Sequence, residues 1–328
     1  KNAAIIEGSK VFSKNLMKKY NIPTAKYEVF NDPNKAIEYV KAENTTPVVV
    51  KADGLALGKG VIIAQTIDEA VEAIKEIMED KKFGDSGNNI VIEEFLTGPE
   101  VSVLAFTDGK CVKPMVSSKD HKRAFDNDEG LNTGGMGTIS PNPYYTDEIA
   151  DVCMETIFKP TIEAMNKEGR PFKGCLYFGL MITPNGPKVI EYNARFGDPE
   201  AQVVLPRLKT DLVDICEAVI DETLSDLDIE WYDGAAACVV MASGGYPVKY
   251  NKGLEITGLD DKGQVDDAIV YHAGTKYENG KFYTNGGRVL GITAVAPTLD
   301  EALKKAYSAV DKINFDGVHY RHDIGKTK

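Results

Sequence analysis

The sequence predicts an α+β chain of two or three domains, the last a smaller α/β unit. Three observations carry this reading. A length of 328 residues is more than one hydrophobic core usually serves. Short β-rich runs alternate with amphipathic helical stretches. After Trp231 the pattern changes to β runs closed by one long helical segment.

The elements follow in order. "GSKVFSKNLMKKYNIP" reads as a helix stopped before Pro23. "KYEVF" is a strand and "DPNKAIEYVKAE" a helix with Asp32 as cap. "TPVVVKADG" is a strand running into a glycine-rich loop, and "KGVIIAQ" is another strand. "TIDEAVEAIKEIM" is an amphipathic helix with Thr66 capping and Glu69 three residues on, and "NNIVIEEFL" is a strand. Residues 21–93 therefore form a small unit of strands and two helices. "EVSVLAFTDGKCVKPMVSS" reads as a hairpin turning at Asp108-Gly109. Lys119 to Pro143 is a polar, glycine-rich stretch with little periodicity, expected to be a long functional loop. A helix spans about 147–168, then come strands "GCLYFGLMIT" and "PKVIEYN" joined by "PNG", and helices near 199–205 and 210–222. In the last unit, 229–328, "AAACVVMAS", "AIVYHAGT" and "GRVLGITAVA" are strands and "TLDEALKKAYSAVDKI" a helix. Residues 1–20 and 94–228 make up the remaining, larger unit.

Composition narrows the function. A net charge of −12 argues against a nucleic-acid partner, and no apolar run approaches a membrane span. Cys111, Cys153, Cys175, Cys216 and Cys238 show no metal or redox spacing, which fits a reducing cytoplasm. The chain is expected to be a monomer. It opens at Lys1 directly in helix-like sequence, so further residues are expected to precede it.

Four stretches carry chemistry. "KADGLALGKGV" sets Lys51 at the end of an apolar strand and Lys59 among Gly54, Gly58 and Gly60. Glycines let backbone N–H groups approach phosphate oxygens, and lysines supply charge. The order is not that of a Walker A loop, and an ordinary β-turn is the rival reading. "VIEEFLTGPE" ends a strand with Glu93, Glu94, Phe95 and Leu96, then Glu100. Such a segment suits a ribose and an adenine ring, or merely a solvated edge. "SKDHKRAFDNDEGLNTGGMG" mixes Asp120, His121, Lys122 and Arg123 with Asn132, Gly134 and Gly135, a set suited to an anionic substrate or to a solvated loop. In "IEYNARFGDPE", strand alternation puts Glu191, Asn193 and Arg195 on one face. The first two offer the hard oxygens Mg²⁺ prefers, and Arg195 a bidentate clamp for an oxyanion. Beyond them Phe196 reads as a staple, Asp198 as an N-cap, Pro199 as the first helical residue and Glu200 as part of the first turn. That would set an anion-attracting helix N-terminus beside the three side chains.

Together, "EGSKVFSKNLM", "VVVKADGLALGKGVIIA", "VIEEFLTGPEVSV", "DHKRAFDNDEGLNTGGMG", "VIEYNARFGDPEAQ", "GGYP", "HAGT", "NGGRVLGITA" and "YRHDIG" closely resemble the phosphoribosylamine–glycine ligase (glycinamide ribonucleotide synthetase) family of the ATP-grasp superfamily. "NTGGMG" with "NARFGDPE" is the most specific part. The resemblance implies an ATP-grasp fold: two α+β subdomains gripping ATP, with 21–93 as lid, plus the smaller carboxy-terminal α/β domain. It implies ATP and Mg²⁺ or Mn²⁺ as cofactors, and glycine and 5-phosphoribosylamine as substrates joined through a glycyl phosphate. It implies Lys10, Lys51, Gly58, Lys59, Gly60, Val61, Glu93 to Leu96 and Glu100 on ATP, with Glu191 and Asn193 on the metal. Asp120 to Arg123, Asn132, Gly134, Gly135, Met136, Arg195, Gly197, Asp198, Pro199 and Glu200 would line the substrate side. Lys59 and Arg195 would act in catalysis. The chain departs from the family at Lys119 (usually Gln), Leu131 (usually Pro) and Thr138-Ile139 (usually Ala-Tyr), and no stretch matches the family's amino-terminal domain. The rivals are another ATP-grasp purine-pathway ligase and a nucleotide-binding module with little catalysis.

Lys59→Ala is expected to lose on the order of 2–4 kcal/mol of transition-state stabilisation while folding stability moves by less than about 0.5 kcal/mol. Unchanged ADP release by this variant would remove Lys59 from the phosphate site.

Overall fold

The computed structural model describes residues 1–55 and 60–326. Two short helices, α1 (Ile5–Gly8) and α2 (Lys10–Lys19), are split by Ser9, whose extended backbone and hydroxyl cap the second by accepting from the Phe12 N–H. The small unit follows: β1 (Tyr27–Phe30), α3 (Pro33–Glu43), β2 (Val48–Ala52), β3 (Val61–Ala64), α4 (Ile67–Met78) and β4 (Ile90–Glu94). Asp32 and Thr66 cap their helices as expected. The strands form an antiparallel sheet in the order β1-β4-β2-β3. Val48, Val50 and Ala52 face a core completed by α3 and α4, with Ala36, Val40, Ile74 and Ile77. Alternation sends Lys51 and Glu93 to the opposite face, where both are nonetheless buried.

The central sheet, in the order β12-β11-β5-β6, is built from β5 (Glu100–Thr107), β6 (Val112–Pro114), β11 (Gly174–Thr183) and β12 (Gly186–Asn193). Between them the chain makes β7 (Lys119–Asp120), β8 (Arg123–Phe125), β9 (Glu129–Asn132) and β10 (Gly137–Ser140), then α5 (Asp147–Cys153) and α6 (Lys159–Lys167). The two helices form one rod joined through a π-helical turn at Met154–Phe158, where Pro160 removes a donor from the helical ladder. One face of the sheet is apolar. Val101, Val103, Phe178, Leu180, Val189 and Tyr192 pack against Leu16 and Met17 of α2 and against Ile157, Phe158 and Ile162. On the other face, Leu104, Phe106 and Tyr177 are covered by α7 (Ala201–Val204) and α8 (Leu212–Asp221). The rest of that face carries Glu100, Ser102, Gly179, Glu191 and Asn193.

The expected long loop over 119–143 is instead four short strands. Each is two to four residues long, too short to show periodicity; β8 and β9 close on each other, β7 pairs with β10, and β10 pairs with a strand about 100 residues further on. β7 and β10 join the carboxy-terminal strands β13 (Ala235–Ala242), β15 (Ile269–His272) and β18 (Arg288–Ala296) in a sheet ordered β15-β18-β13-β10-β7. One sheet thus runs from the sequence-defined large unit into the last one. α9 (Leu299–Val310) covers it. A second carboxy-terminal sheet holds β14 (Glu255–Ile256), β16 (Thr275–Glu278) and β17 (Lys281–Thr284), in the order β14-β17-β16. Sequence reasoning misses its hairpin, although Asn279-Gly280, both at positive φ, is a strong turn signal. Among the described residues no helix is long and apolar enough to cross a membrane.

The tail of the chain fastens the 119–132 segment. Buried Arg321 pairs with Asp323 (2.8 Å) and Asp128 (3.0 Å) and donates to the Arg123 carbonyl. His121, expected to face substrate, is turned inward. Its Nδ1 donates to the Gly137 carbonyl (3.0 Å) and its Nε2 accepts from the Gly325 N–H (3.1 Å). Only the neutral ring satisfies both partners, and burial holds its pKa down at about 4. The unfolded ring titrates near 6.5, so unfolded chains take up the proton first. This stability is complete above pH 6.5 and is lost as pH falls from there toward 4, by about 3 kcal/mol in all. The unfolding free energy of the parent is therefore expected to fall more steeply between pH 7 and 4 than that of His121→Gln. Parallel curves would refute the assignment.

Candidate active site

The lysine side of the site is assembled across the junction of the small unit and α2. Glu93 sits on β4 opposite Val49, next to Lys51 on the neighbouring strand. Its Oε2 is 3.0 Å from the Lys51 ammonium and 3.0 Å from that of Lys14, which projects from α2. All three side chains are buried. Burial pulls Lys14 down to a pKa of about 8 despite its carboxylate partner. Lys51 also donates to the Ile190 carbonyl (3.3 Å), and Lys14 to Thr24 Oγ1 (2.7 Å). This corrects the expectation for Glu93: its carboxylate organises two lysines and does not lie open to a ribose. Its Oε1 is buried and has no hydrogen-bond partner among the described residues. Lys14 lies in the "EGSKVFSKNLM" stretch, which gives it no role, and its own sequence signal is a charge on the inner face of an amphipathic helix. Lys10, at the start of α2, donates to the Gly54 carbonyl (2.6 Å) at the mouth of the glycine-rich loop. Burial lowers its pKa, opposed by the charge of Glu191. Val61 opens β3 and Gly60 precedes it, the Gly60 carbonyl accepting from the Ala52 N–H. Gly58 and Lys59 lie outside the described residues.

At the end of β4, Glu94 accepts from the Lys26 N–H (3.0 Å) and pairs with Lys188 (2.9 Å). Phe95 is exposed and Leu96 half-buried, in a short segment that leads into Glu100 on β5.

Glu191 and Asn193 reach the open face of the central sheet through a β-bulge. Gly179 opposes Glu191 and Leu180 opposes Val189, so Ile190 is the extra residue. Without it, unbroken alternation from Val189 would send Glu191 and Asn193 into the apolar core. With it, Tyr192 rejoins Val189 in the core and both polar side chains turn outward. Gly179 keeps this space clear: a Cβ there would lie 3.1 Å from Glu191 Cγ. A carboxylate and a carboxamide oxygen are a hard donor pair of the kind Mg²⁺ or Mn²⁺ takes alongside phosphate oxygens and water. Among the described residues no group of three acidic, histidine or cysteine side chains forms a denser cage. Arg195 lies past the strand end, 58% exposed, beside Glu7 of α1 (3.8 Å), which also accepts from the Ala194 N–H (2.8 Å). Glu7 is a second residue that sequence reasoning misses.

Beside this pair lies a polar cluster. Lys122 bridges to Glu100 (2.9 Å) and holds that carboxyl below its usual pKa, while Glu100 raises the lysine. The Ser102 hydroxyl bonds Tyr177 (2.8 Å) and donates to Glu200 Oε1 (3.3 Å). Burial pushes up the pKa of both Asp120 and Glu200, and the Glu200 charge pushes Asp120 further. Asp120 Oδ1 is buried with no hydrogen-bond partner among the described residues, and a Cβ on Gly135 would lie 2.6 Å from it. Met136 is fully buried under this loop, so its side chain packs in the interior instead of facing an open substrate side. Arg123 and Asn132 are exposed and paired across β8 and β9, where Arg123 donates to the Gly130 carbonyl.

The expected helix over 199–205 is one turn, Ala201–Val204, closed by a 3₁₀ turn at Leu205–Arg207 that contains Pro206. Glu200, not Asp198, is its N-cap residue, and Pro199 precedes it. The Asp198 carboxylate is held instead by Arg288 and Gln202. Phe196 packs edge-on against Phe106 and staples no helix. A single turn gathers little dipole, so the anion-attracting N-terminus read from the sequence is not there.

A profile of the ATP-grasp (A) domain of phosphoribosylglycinamide synthetase matches residues 8–201, and one of the C domain of that enzyme matches 236–327. The chain is 54% identical to a phosphoribosylamine–glycine ligase of Clostridium acetobutylicum, over 100% of this chain and 78% of that protein. It is 51% identical to the trifunctional purine biosynthetic protein adenosine-3 of Gallus gallus, over 98% of this chain and 32% of that protein. The crystal structure of a phosphoribosylamine–glycine ligase from Thermotoga maritima superposes with a TM-score of 0.88 at 36% identity, covering 98% of this chain and 79% of that one. The biotin carboxylase domain of a Hydrogenobacter thermophilus 2-oxoglutarate carboxylase shares the fold alone, with a TM-score of 0.72 at 16% identity over 95% and 67% of the two chains. The fold is that of the ATP-grasp enzymes. With one profile spanning the lysines, the bulged strand and the acidic turn, and identity of about one half to named ligases along its whole length, this chain belongs to the phosphoribosylglycinamide synthetase family.

Proposed function

We infer that the chain is an ATP-dependent ligase of purine biosynthesis that joins glycine to 5-phosphoribosylamine through glycyl phosphate, giving glycinamide ribonucleotide, ADP and phosphate. The observation that carries the reading is the outward turn of Glu191 and Asn193 beside the Lys51–Glu93–Lys14 set, on the same sheet face as Glu100 and Lys122. It supports a site in which hard oxygens, lysines and the Glu100 carboxylate share one sheet face. The names of close relatives along the whole chain support the same reaction.

A carboxylate and an amine do not condense in neutral water, because the carboxylate oxygen is a poor leaving group. Phosphoryl transfer from ATP to glycine replaces it with phosphate, and that step needs positioning and charge neutralisation more than a protein nucleophile. Lys51 and Lys10 lie where they can hold phosphate oxygens, and Lys59 is a third candidate by its motif alone. Glu191 and Asn193 would hold a divalent cation, Mg²⁺ or Mn²⁺, which when bound screens phosphate charge. Arg195, exposed beside Glu7, can swing to a developing oxyanion. Asp120 and Glu200 offer carboxylates to the amine, which must lose a proton as the C–N bond forms. Residues 21–93 act as a lid over ATP, 1–20 and 94–228 as the opposing subdomain, and 229–328 as the wall of the substrate side. Closure keeps water from the acyl phosphate. The free thiols of all five cysteines support a reducing, cytoplasmic setting.

Two outcomes follow. Product formation is expected with glycine and 5-phosphoribosylamine and not with bicarbonate or formate in place of glycine; the reverse preference would move the chain to another ATP-grasp reaction. Glu191→Gln is expected to raise the Mg²⁺ concentration for half-maximal activity by at least the roughly tenfold that losing a supporting partner costs a metal site. Saturation at the parent's concentration would show that Glu191 is not a ligand.

A further inference from the structure

Two carboxy-terminal motifs, "GGYP" and "NGGRVLGITA", have no part in the reading above, yet their side chains converge on its substrate half. Arg288 opens β18. Its NH1 donates to the Gly134 carbonyl (2.6 Å) and to the Asp198 carbonyl (3.0 Å), and its NH2 pairs with Asp198 Oδ2 (3.0 Å). One guanidinium therefore joins two segments more than 60 residues apart: the glycine loop Thr133–Met136 and the turn from Asp198 to Glu200. A planar fork with fixed donors can serve three acceptors at once, which an ammonium cannot do in that geometry.

The surrounding residues are shaped to this contact. A Cβ on Gly134 would lie 3.0 Å from the guanidinium carbon, so only glycine lets the loop come this close. The Gly134 N–H donates to the Tyr246 hydroxyl (3.0 Å), so the same residue is held from both sides. Tyr246 reaches it by lying across Gly287, where a Cβ would meet the ring at 2.3 Å. The loop and the turn in turn frame the acids. Gly135 abuts both Asp120 Oδ1 and Pro199, and Pro199 leads into Glu200. The side chain of Arg288 is 20% exposed, and its named donors go to protein acceptors, so it acts as a cross-link and not as a substrate ligand.

We propose that Arg288, assisted by Tyr246, is a positioning residue of the carboxy-terminal domain that locks the Thr133–Met136 loop to the Asp198–Glu200 turn and thereby sets the affinity for the phosphoribosyl substrate and product. The proposal rests on the ligase reading above. It assigns the last domain a role in substrate binding without any direct contact to substrate.

The test uses the full chain with Arg288→Met, Arg288→Lys and Tyr246→Phe. Hydrogen exchange at 133–136 and 198–202 is expected to quicken at least tenfold in Arg288→Met. Calorimetric affinity for glycinamide ribonucleotide, with ADP present, is expected to fall at least tenfold, while affinity for a non-hydrolysable ATP analogue stays within twofold. Arg288→Lys keeps the charge on Asp198 but not both carbonyls and is expected to recover part of the loss. Tyr246→Phe, which removes one bond, is expected to give a smaller effect of the same sign. Unchanged exchange, unchanged ribonucleotide affinity, or equal loss of ribonucleotide and nucleotide affinity would each overturn the proposal. A parent chain that binds the ATP analogue but no glycinamide ribonucleotide would overturn the ligase reading instead, and the exchange comparison would still decide whether the clamp exists.

Discussion

The site depends on one residue too many in a strand. Ile190 has no partner on β11, and that single insertion reverses the in–out phase of β12 between Val189 and Tyr192. A regular strand would bury Glu191 and Asn193 among Phe178, Leu180 and Ile157, at a cost of several kcal/mol per uncompensated polar group. The bulge lets one strand serve both demands: it fills the core with Val189 and Tyr192 and presents hard oxygens on the opposite face. Gly179 across the ladder completes the arrangement by leaving room for the Glu191 side chain. The carbonyl of the bulged residue is also used, since Lys51 of the small unit donates to it.

That bond is part of the main electrostatic constraint at the junction. Glu93 is buried between Lys14 and Lys51, so one carboxylate faces two ammonium groups that come from different units. Removing one partner from such a set leaves an unpaired buried charge, which typically costs about 3–5 kcal/mol. On the ligase reading proposed above, phosphate oxygens brought to Lys51 would complete the neutralisation of the set. Lys14, pulled to a pKa of about 8, registers how dry this place is.

The substrate half is held from the carboxy-terminal side. β7 and β10 are strands of the sheet that contains β13 and β18, so Asp120 and the glycine loop are fixed by a framework formed after residue 234. His121 and Arg321 fasten the same segment through the tail. This explains why chain so rich in glycine and charge is ordered between residues 119 and 140: it pairs within itself and is anchored through β10 to β13 and through the tail.

By itself the sequence determined the local elements and the chemistry available. Helix caps at Asp32 and Thr66, the Asp108-Gly109 turn, and the paired strands ending in Asn193 are all dictated by short-range rules. The lysines, the Glu191–Asn193 pair and the acidic turn were legible because each lies in a motif of distinctive residues. Tertiary structure decided where those groups point. It turned His121 and Met136 inward, gave Glu93 to the lysines, shortened the helix after Pro199 to one turn, and recruited Lys14, Glu7 and Arg288, which lie in motifs that assigned them no role. The physical reason is range. Capping and alternation act over a few residues and are written in neighbours, whereas burial, bulge register and ion pairing depend on partners up to about 200 positions away.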